Sequence, residues 1–336
     1  MPDAIRTAAL RKVYPPPTPR RRWSRAPAAG APAAPVNGDG GVVALQGLDL
    51  AVHDGEFFGL LGPNGAGKTT TIGILTTRVR PTSGSAVVAG ADVVRDAVGV
   101  RRRIGVVPQR PNPDRSLDVR ENLVFHAAYF GIPRAAATAR ATELLEQLGI
   151  GEKATAKVDQ LSGGQQQRLM IARALIHDPR IIFLDEPTVG LDPQARLALW
   201  EILRALHAEG RTIVMTTHYM EEADRLCDRI AIVDHGQLLA LDTPALLKRK
   251  APGGTLIELT LDGDAALALD RVREVPGVLR AEGQGSTLRA YGERGGELIP
   301  LLIRAAEERG RVVHDIRLFP PSLETLFIAM TGRKLD

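Results

Sequence analysis

The chain has 336 residues, room for two ordinary domains, and 44% of them are hydrophobic, enough for globular cores. No run approaches the roughly eighteen apolar residues of a membrane-spanning helix, and the opening MPDAIRTAAL holds no apolar core of a secretory signal. The one cysteine, Cys227, excludes an internal disulfide and fits a reducing cytoplasm; the net charge of +4 is only a weak pointer to nucleic acid or anionic lipid.

Residues 4–14, AIRTAALRKVY, are expected to form an edge strand. Residues 15–35 are rich in proline, alanine and arginine, with no periodicity, and predict a flexible insertion reaching about residue 40. Its arginines, Arg20, Arg21, Arg22 and Arg25, fit a solvated charge run. Order returns at VVALQGLDLAVHDGEFFGLLG, which alternates like two paired strands around a turn at Asp54-Gly55.

Next comes Gly62-Pro63-Asn64-Gly65-Ala66-Gly67-Lys68-Thr69, followed by a helical stretch, KTTTIGILTTRVR, expected to stop near Pro81 and Gly84. A G-x-x-x-x-G-K-T pattern between strand and helix is a phosphate-binding loop. Glycines let successive N–H groups face one concavity, and the helix start adds partial positive charge. Lys68 can reach the β and γ phosphates of a nucleotide, and the Thr69 hydroxyl can sit on Mg2+. The plain alternative, a glycine-rich turn with an exposed lysine, is outweighed by the complete pattern in its strand–loop–helix context.

SAVVAG and RIGVVPQ predict strands, and residues 115–150 have helical spacing. RIIFLDEP, RTIVMTTH and DRIAIVDHG predict three more strands, separated by helical stretches. Such alternation implies a mainly parallel sheet covered on both faces. Strand ends line the ligand crevice of such a sheet. Asp185 there can hold Mg2+, and Glu186 can polarise an attacking water. LSGGQQQR opens a helix with capping-box spacing between Ser162 and Gln165, and Gly163 and Gly164 expose amides, a second anion-seeking surface. His218 ends a strand beside the carboxylates, where it can meet a γ phosphate; His177, His207 and His235 match nothing and fit structural or solvent-facing roles.

These motifs, in this order over residues 4–245, resemble the nucleotide-binding domain of ABC transporters. The resemblance implies a P-loop NTPase α/β fold with a helical subdomain, at about 110–165, and an antiparallel β subdomain. It implies ATP bound by Gly62 to Thr69 and Thr70, with Mg2+ on Thr69, Gln109 and Asp185. Glu186 matches the catalytic glutamate, with His218, Gln109 and Lys68 beside it. Gln109 matches a glutamine that contacts the metal and senses the membrane partner. Ser162, Gly163, Gly164 and Gln165 match a signature that acts in trans on a second subunit's ATP, and Leu191 and Asp192 match a loop crossing the dimer interface. Tyr14 is the natural match to the aromatic residue on adenine, but the insertion separates it from the next strand; Trp23 is the other candidate.

The run TTHYMEEADRLCDRIAIVDHGQLLALDTP and the tail PSLETLFIAMTGRKLD look most like drug-resistance-type exporter ATPases, including the daunorubicin-resistance group. That likeness implies a type-2 membrane permease as partner, a second ATP-binding subunit in a homodimer, and a peripheral place on the cytoplasmic face of the plasma membrane. The competing function is a soluble ABC ATPase acting on nucleic acid or ribosomes. One motif set and no sustained heptads count against it. A regulator without turnover is a third reading, and Glu186 argues against it. The domains are expected at 1–250 and 255–336. In the second, the order β-α-β-β-α-β suggests a small ferredoxin-like α+β domain with a final helix, its core drawn from Leu256, Ile257, Leu259, Leu298, Leu301, Leu302 and Ile303. The final helix carries a stripe of Leu323, Leu326, Phe327 and Met330.

Overall fold

A computed structural model describes residues 3–16, 40–251, 254–293 and 295–331. Most of the expected insertion, Trp23 included, lies outside the described residues. The chain divides into two compact units, one up to Thr243 and one from Pro244.

In chain order the first unit holds β1 (Asp3–Tyr14), β2 (Val42–His53), β3 (Phe57–Leu61), α1 (Lys68–Leu75), β4 (Ser83–Val88), β5 (Ala91–Asp92), α2 (Ala97–Arg103) and β6 (Ile104–Val107). It continues with α3 (Val119–Ala128), α4 (Arg134–Gln147), α5 (Gly163–Leu175), β7 (Ile181–Asp185), α6 (Pro193–Ala208), β8 (Thr212–Thr217), α7 (Met220–Leu226), β9 (Arg229–Asp234) and β10 (Gln237–Asp242). A six-stranded sheet runs β10-β9-β3-β8-β7-β6. It is parallel except at β10, which pairs antiparallel with β9. Its central strands, FFGLL, IIFLD and TIVMTT, are buried at every residue, which suits strands covered on both faces.

The second sheet is antiparallel, β2-β1-β4-β5. β1 is therefore internal, not the edge strand its terminal position suggested. Leu10 faces Leu48 on one side, and Ile5 faces Val88 on the other. Its second neighbour, β4, arrives only after the phosphate loop and α1, a long-range pairing that local alternation does not reveal. β2 and β3 are also not paired with each other. The turn at Asp54-Gly55 carries the chain from one sheet to the other, with Gly55 at φ +76. β3 instead lies inside the six-stranded sheet, paired with β8 on one edge and β9 on the other.

α1 ends at Leu75, a turn before the expected stop. Thr76 donates its hydroxyl back to Ile72 O, Thr77 takes φ +63, and the amides of Arg78 and Val79 both close on Gly73 O. Threonine hydroxyls that bond back to the helix backbone weaken it locally. The helical region holds α3 and α4, packed together, with a capping box of Asp118 and Glu121 opening α3.

The second unit starts with α8 (Pro244–Arg249) and continues β11 (Thr255–Leu261), α9 (Ala266–Arg273), β12 (Val278–Gln284), β13 (Thr287–Gly292), α10 (Gly295–Glu307), β14 (Val313–Phe319) and α11 (Leu323–Thr331). The sheet order β12-β13-β11-β14, antiparallel throughout, is the ferredoxin-like arrangement its segment order implied. Ile257, Leu259 and Leu288 meet Leu298 and Leu302 of α10 and Val272 of α9 in its core. Leu301, expected in that core, is 40% exposed, and Met330 at the end of the α11 stripe is 41% exposed. Leu323, Leu326 and Phe327 are buried. α11 packs on α8.

Candidate functional site

The site begins where β3 ends. Gly62, Pro63, Asn64, Gly65, Ala66 and Gly67 turn the chain from a buried strand into α1, with Gly65 at φ +83 and Gly67 at φ +102. Gly62 is needed for a different reason. A Cβ there would lie 2.2 Å from Val233 O, so the backbone of β9 leaves no room. Gly67 caps α1 without a side chain, so the first amides of the helix remain available to an anion.

Lys68 is buried, 4% exposed. Its ammonium donates to Gly62 O at 2.7 Å and Pro63 O at 3.1 Å, and lies 3.1 Å from Glu186 Oε1. Burial lowers its pKa, against the opposing pull of Glu186 and then Asp185. Burial works in the raising direction on Glu186, but the Lys68 ammonium and then His218 overcome it and hold the carboxyl below its ordinary range. His218 Nδ1 stands 3.4 Å from Glu186 Oε1, within ion-pair distance when the ring is protonated. Gln109 Nε2 donates to Glu186 Oε2 at 2.9 Å. Three side chains, from the start of α1 and from the loops after β6 and β8, thus converge on one carboxylate.

Glu186 holds φ +49, a left-handed conformation that costs a non-glycine residue about 1–2 kcal/mol. In an extended strand, consecutive side chains point to opposite faces. The left-handed turn lets Glu186 meet Lys68 while Asp185, its neighbour, turns to Thr69 and Thr216. Thr69 Oγ1 donates to Asp185 Oδ1 at 3.2 Å, and Thr216 Oγ1 donates to the same oxygen at 2.7 Å. The Glu186 amide donates to Thr216 Oγ1 at 3.0 Å. Thr216 is a site residue that the sequence showed without a role: it is one of two threonines before His218, and it braces both carboxylate positions. The strain at Glu186 has no sequence signal.

The hard oxygens of Thr69 and Asp185 converge on one point, with Gln109 nearby in the same cavity of about 510 Å³. Among the described residues no cluster of three His, Cys, Asp or Glu forms a closed metal cage. Mg2+ usually takes one or two carboxylates and shares phosphate oxygens, so this donor set fits it.

Tyr14 is brought to the loop in spite of the insertion. It pairs with Val42 at the end of β1, and its hydroxyl lies 3.5 Å from Thr70 Oγ1 on α1. The Lys12 ammonium sits 4.9 Å from its ring centre.

Ser162, Gly163, Gly164 and Gln165 form a separate group. Ser162 caps α5, accepting from the Gln165 amide at 3.3 Å while its own amide donates to Gln165 Oε1 at 3.0 Å. Their neighbours are Leu191 and Ala195, and Asp192 caps α6 through the Ala195 amide. Among the described residues no hydrogen bond or ion pair joins Ser162 or Gln165 to the phosphate loop or Glu186.

The comparisons agree with this geometry. The ABC transporter family profile matches residues 45–189. The chain is similar to the Nod factor export ATP-binding protein I of Burkholderia pseudomallei strain 1710b, 44% identical over 87% of this chain and 93% of that protein. It is similar to the protein of the same description from Rhizobium sp. strain N33, at 42% identity over 88% and 95%. Among solved structures it is similar to a dimeric ATP-binding cassette in a post-hydrolysis state bound to ADP and Pi, at 27% identity and TM-score 0.60. That match covers 71% of this chain and 98% of the cassette.

Proposed function

Because this chain belongs to the ATP-binding proteins of ABC transporters, and is an ATPase coupled to transport, we propose that it powers export through a separate membrane permease. The observation that carries the proposal is the convergence of Lys68, Gln109 and His218 on Glu186 at the mouth of the phosphate loop. In this reading two copies enclose two ATP molecules head to tail. Lys68 exchanges Glu186 for the β and γ phosphates, and the released carboxylate takes a proton from the attacking water. Thr69, Asp185 and Gln109 would hold Mg2+, which neutralises phosphate charge. His218 meets the γ phosphate, Tyr14 stacks on adenine, and Ser162 to Gln165 reach the partner's ATP beside Leu191 and Asp192.

The permease is read as docking in a cleft of about 610 Å³ lined by Leu117, Val124, Phe125, Ala128 and Ile132, with Arg120 on its rim. Phe125 is 56% exposed there. The segment from Gln109 to Leu117 runs from the metal corner to this cleft, so a push on the cleft reaches Glu186 through Gln109. The protein would then be peripheral, on the cytoplasmic face of the membrane. No helix among the described residues is long and apolar enough to cross one. The relatives named for Nod factor export favour a cargo of the Nod factor kind over a drug or antibiotic. Likeness to exporters along most of the chain also disfavours action on nucleic acid.

Glu186→Gln keeps the side chain's shape and removes the base. ATP should still bind, and the closed dimer should accumulate on size-exclusion chromatography with turnover lost. A variant that hydrolyses ATP at close to the wild-type rate would remove Glu186 from this role.

A further inference from the structure

Behind the hydrolytic residues lies a third carboxyl that their chemistry does not use. Glu222, on α7, is 0% exposed. Its Oε1 accepts from Trp200 Nε1 on α6 at 3.1 Å. Its Oε2 has no hydrogen-bond partner among the described residues, and the same holds for Thr188 Oγ1 and Arg196 Nε. Orphaned polar atoms are rare in a protein interior and costly. Here three arise on elements that meet at one carboxyl.

Those elements carry the site. Thr188 is two residues past Glu186, in the turn where the Val189 amide closes on Glu186 O and the Leu191 amide on Thr188 O. Thr217 is buried immediately before His218, and its hydroxyl accepts from the Tyr219 amide at 2.9 Å. The Tyr219 ring packs against His218 at 4.2 Å, and the Arg196 guanidinium lies over that ring at 4.9 Å. We propose that Glu222 is a positioning residue, whose buried carboxyl ties the turn after Glu186 and the strand end before His218 to α6 and so holds both groups in register for hydrolysis.

The Glu222 carboxyl is shut away from water. Burial raises its pKa, and the hydroxyls of Thr217 and Thr188, the Trp200 N–H and Arg196 offset only part of that. The ionisable groups facing it are Arg196 from α6 and the buried Cys227 thiol just past α7. Protonated, Oε2 can donate to a threonine hydroxyl; ionised, it can accept from one; Oε1 keeps the Trp200 bond in either state.

The inference rests on Glu186 and His218 carrying hydrolysis, so Glu186→Gln is assayed in parallel. Glu222→Ala in the full-length chain should lower kcat by about ten- to a hundredfold with KM for ATP little changed, the size expected for misplaced groups. Glu222→Gln, of the same shape and able both to donate and to accept, should restore kcat. Thr188→Val should lower kcat without the Gln rescue, and serves if Glu222→Ala does not fold. Wild-type kcat in both Glu222→Ala and Thr188→Val, or a Gln variant as impaired as the Ala one, would overturn the proposal. If these results came with an inactive Glu186→Gln, the loss would fall on Glu222 alone. An active Glu186→Gln would sink the hydrolytic reading itself.

Discussion

Each buried titratable side chain shows how a residue's environment sets its state. Lys68 and Glu186 are opposite charges kept together out of water, an arrangement that holds only while each supplies the other's partner. His126 is the contrasting case. Burial first, then Arg173 and His177, push its pKa down to about 4, and His177, stacked on Phe130 at 3.6 Å, is lowered by burial as well. An unfolded imidazole titrates near 6.5. The folded value lies below the unfolded one, so the unfolded chain takes the proton first. Stability that is complete above about 6.5 should therefore drain away as pH falls toward 4. Thermal midpoints at pH 7.5 and 5.0 test this: the drop in the wild type should shrink in His126→Gln, and an equal drop would assign the acid loss to other groups.

At the scale of elements, the sequence was most legible where a segment's chemistry is local. The phosphate loop, the Ser162–Gln165 capping box and the apolar strands before Gly62 and Asp185 follow from glycine placement, capping spacing and continuous hydrophobicity. Partners far along the chain were not legible. β1 gave no sign of β4, β2 and β3 looked like a hairpin, and the left-handed Glu186 and the buried Glu222 depend on contacts that only folding assembles. Ser162 tests an element whose role differs from its local chemistry. Its cap on α5 is worth about 1 kcal/mol, which Ser162→Ala should lose with modest effect on activity. Ser162→Arg loses the same cap but also places a long cation where a partner's phosphate is expected. It should abolish turnover while ATP binding by the isolated monomer, followed by fluorescence titration, stays intact. Loss of monomer binding in a folded Ser162→Arg would mean that the signature acts within its own chain.

For the whole molecule, the division at Thr243 separates two cores of different kinds. The first unit carries the phosphate loop, both carboxylates and the signature. The second carries its own core of Ile257, Leu259, Leu288 and Leu302, and none of the nucleotide residues. Leu247 of α8 is fully buried, and α8 packs on α11, so α8 counts with the second unit although it lies within the expected 1–250 domain. A cut after Lys250 would strand Leu247, and Thr243 is the better end point. A chain ending there should fold and bind ATP within about twofold of the full-length affinity, because none of the residues assigned to the nucleotide lies beyond Thr243. ATP-dependent dimerisation, followed by analytical ultracentrifugation, or turnover with the permease should change, since relatives across most of this chain's length retain the added sequence that the solved cassette match does not cover. If the shortened chain were folded yet unable to bind ATP, residues beyond Thr243 would belong to the nucleotide site, and the second unit would be part of the machinery that it is here taken to tune.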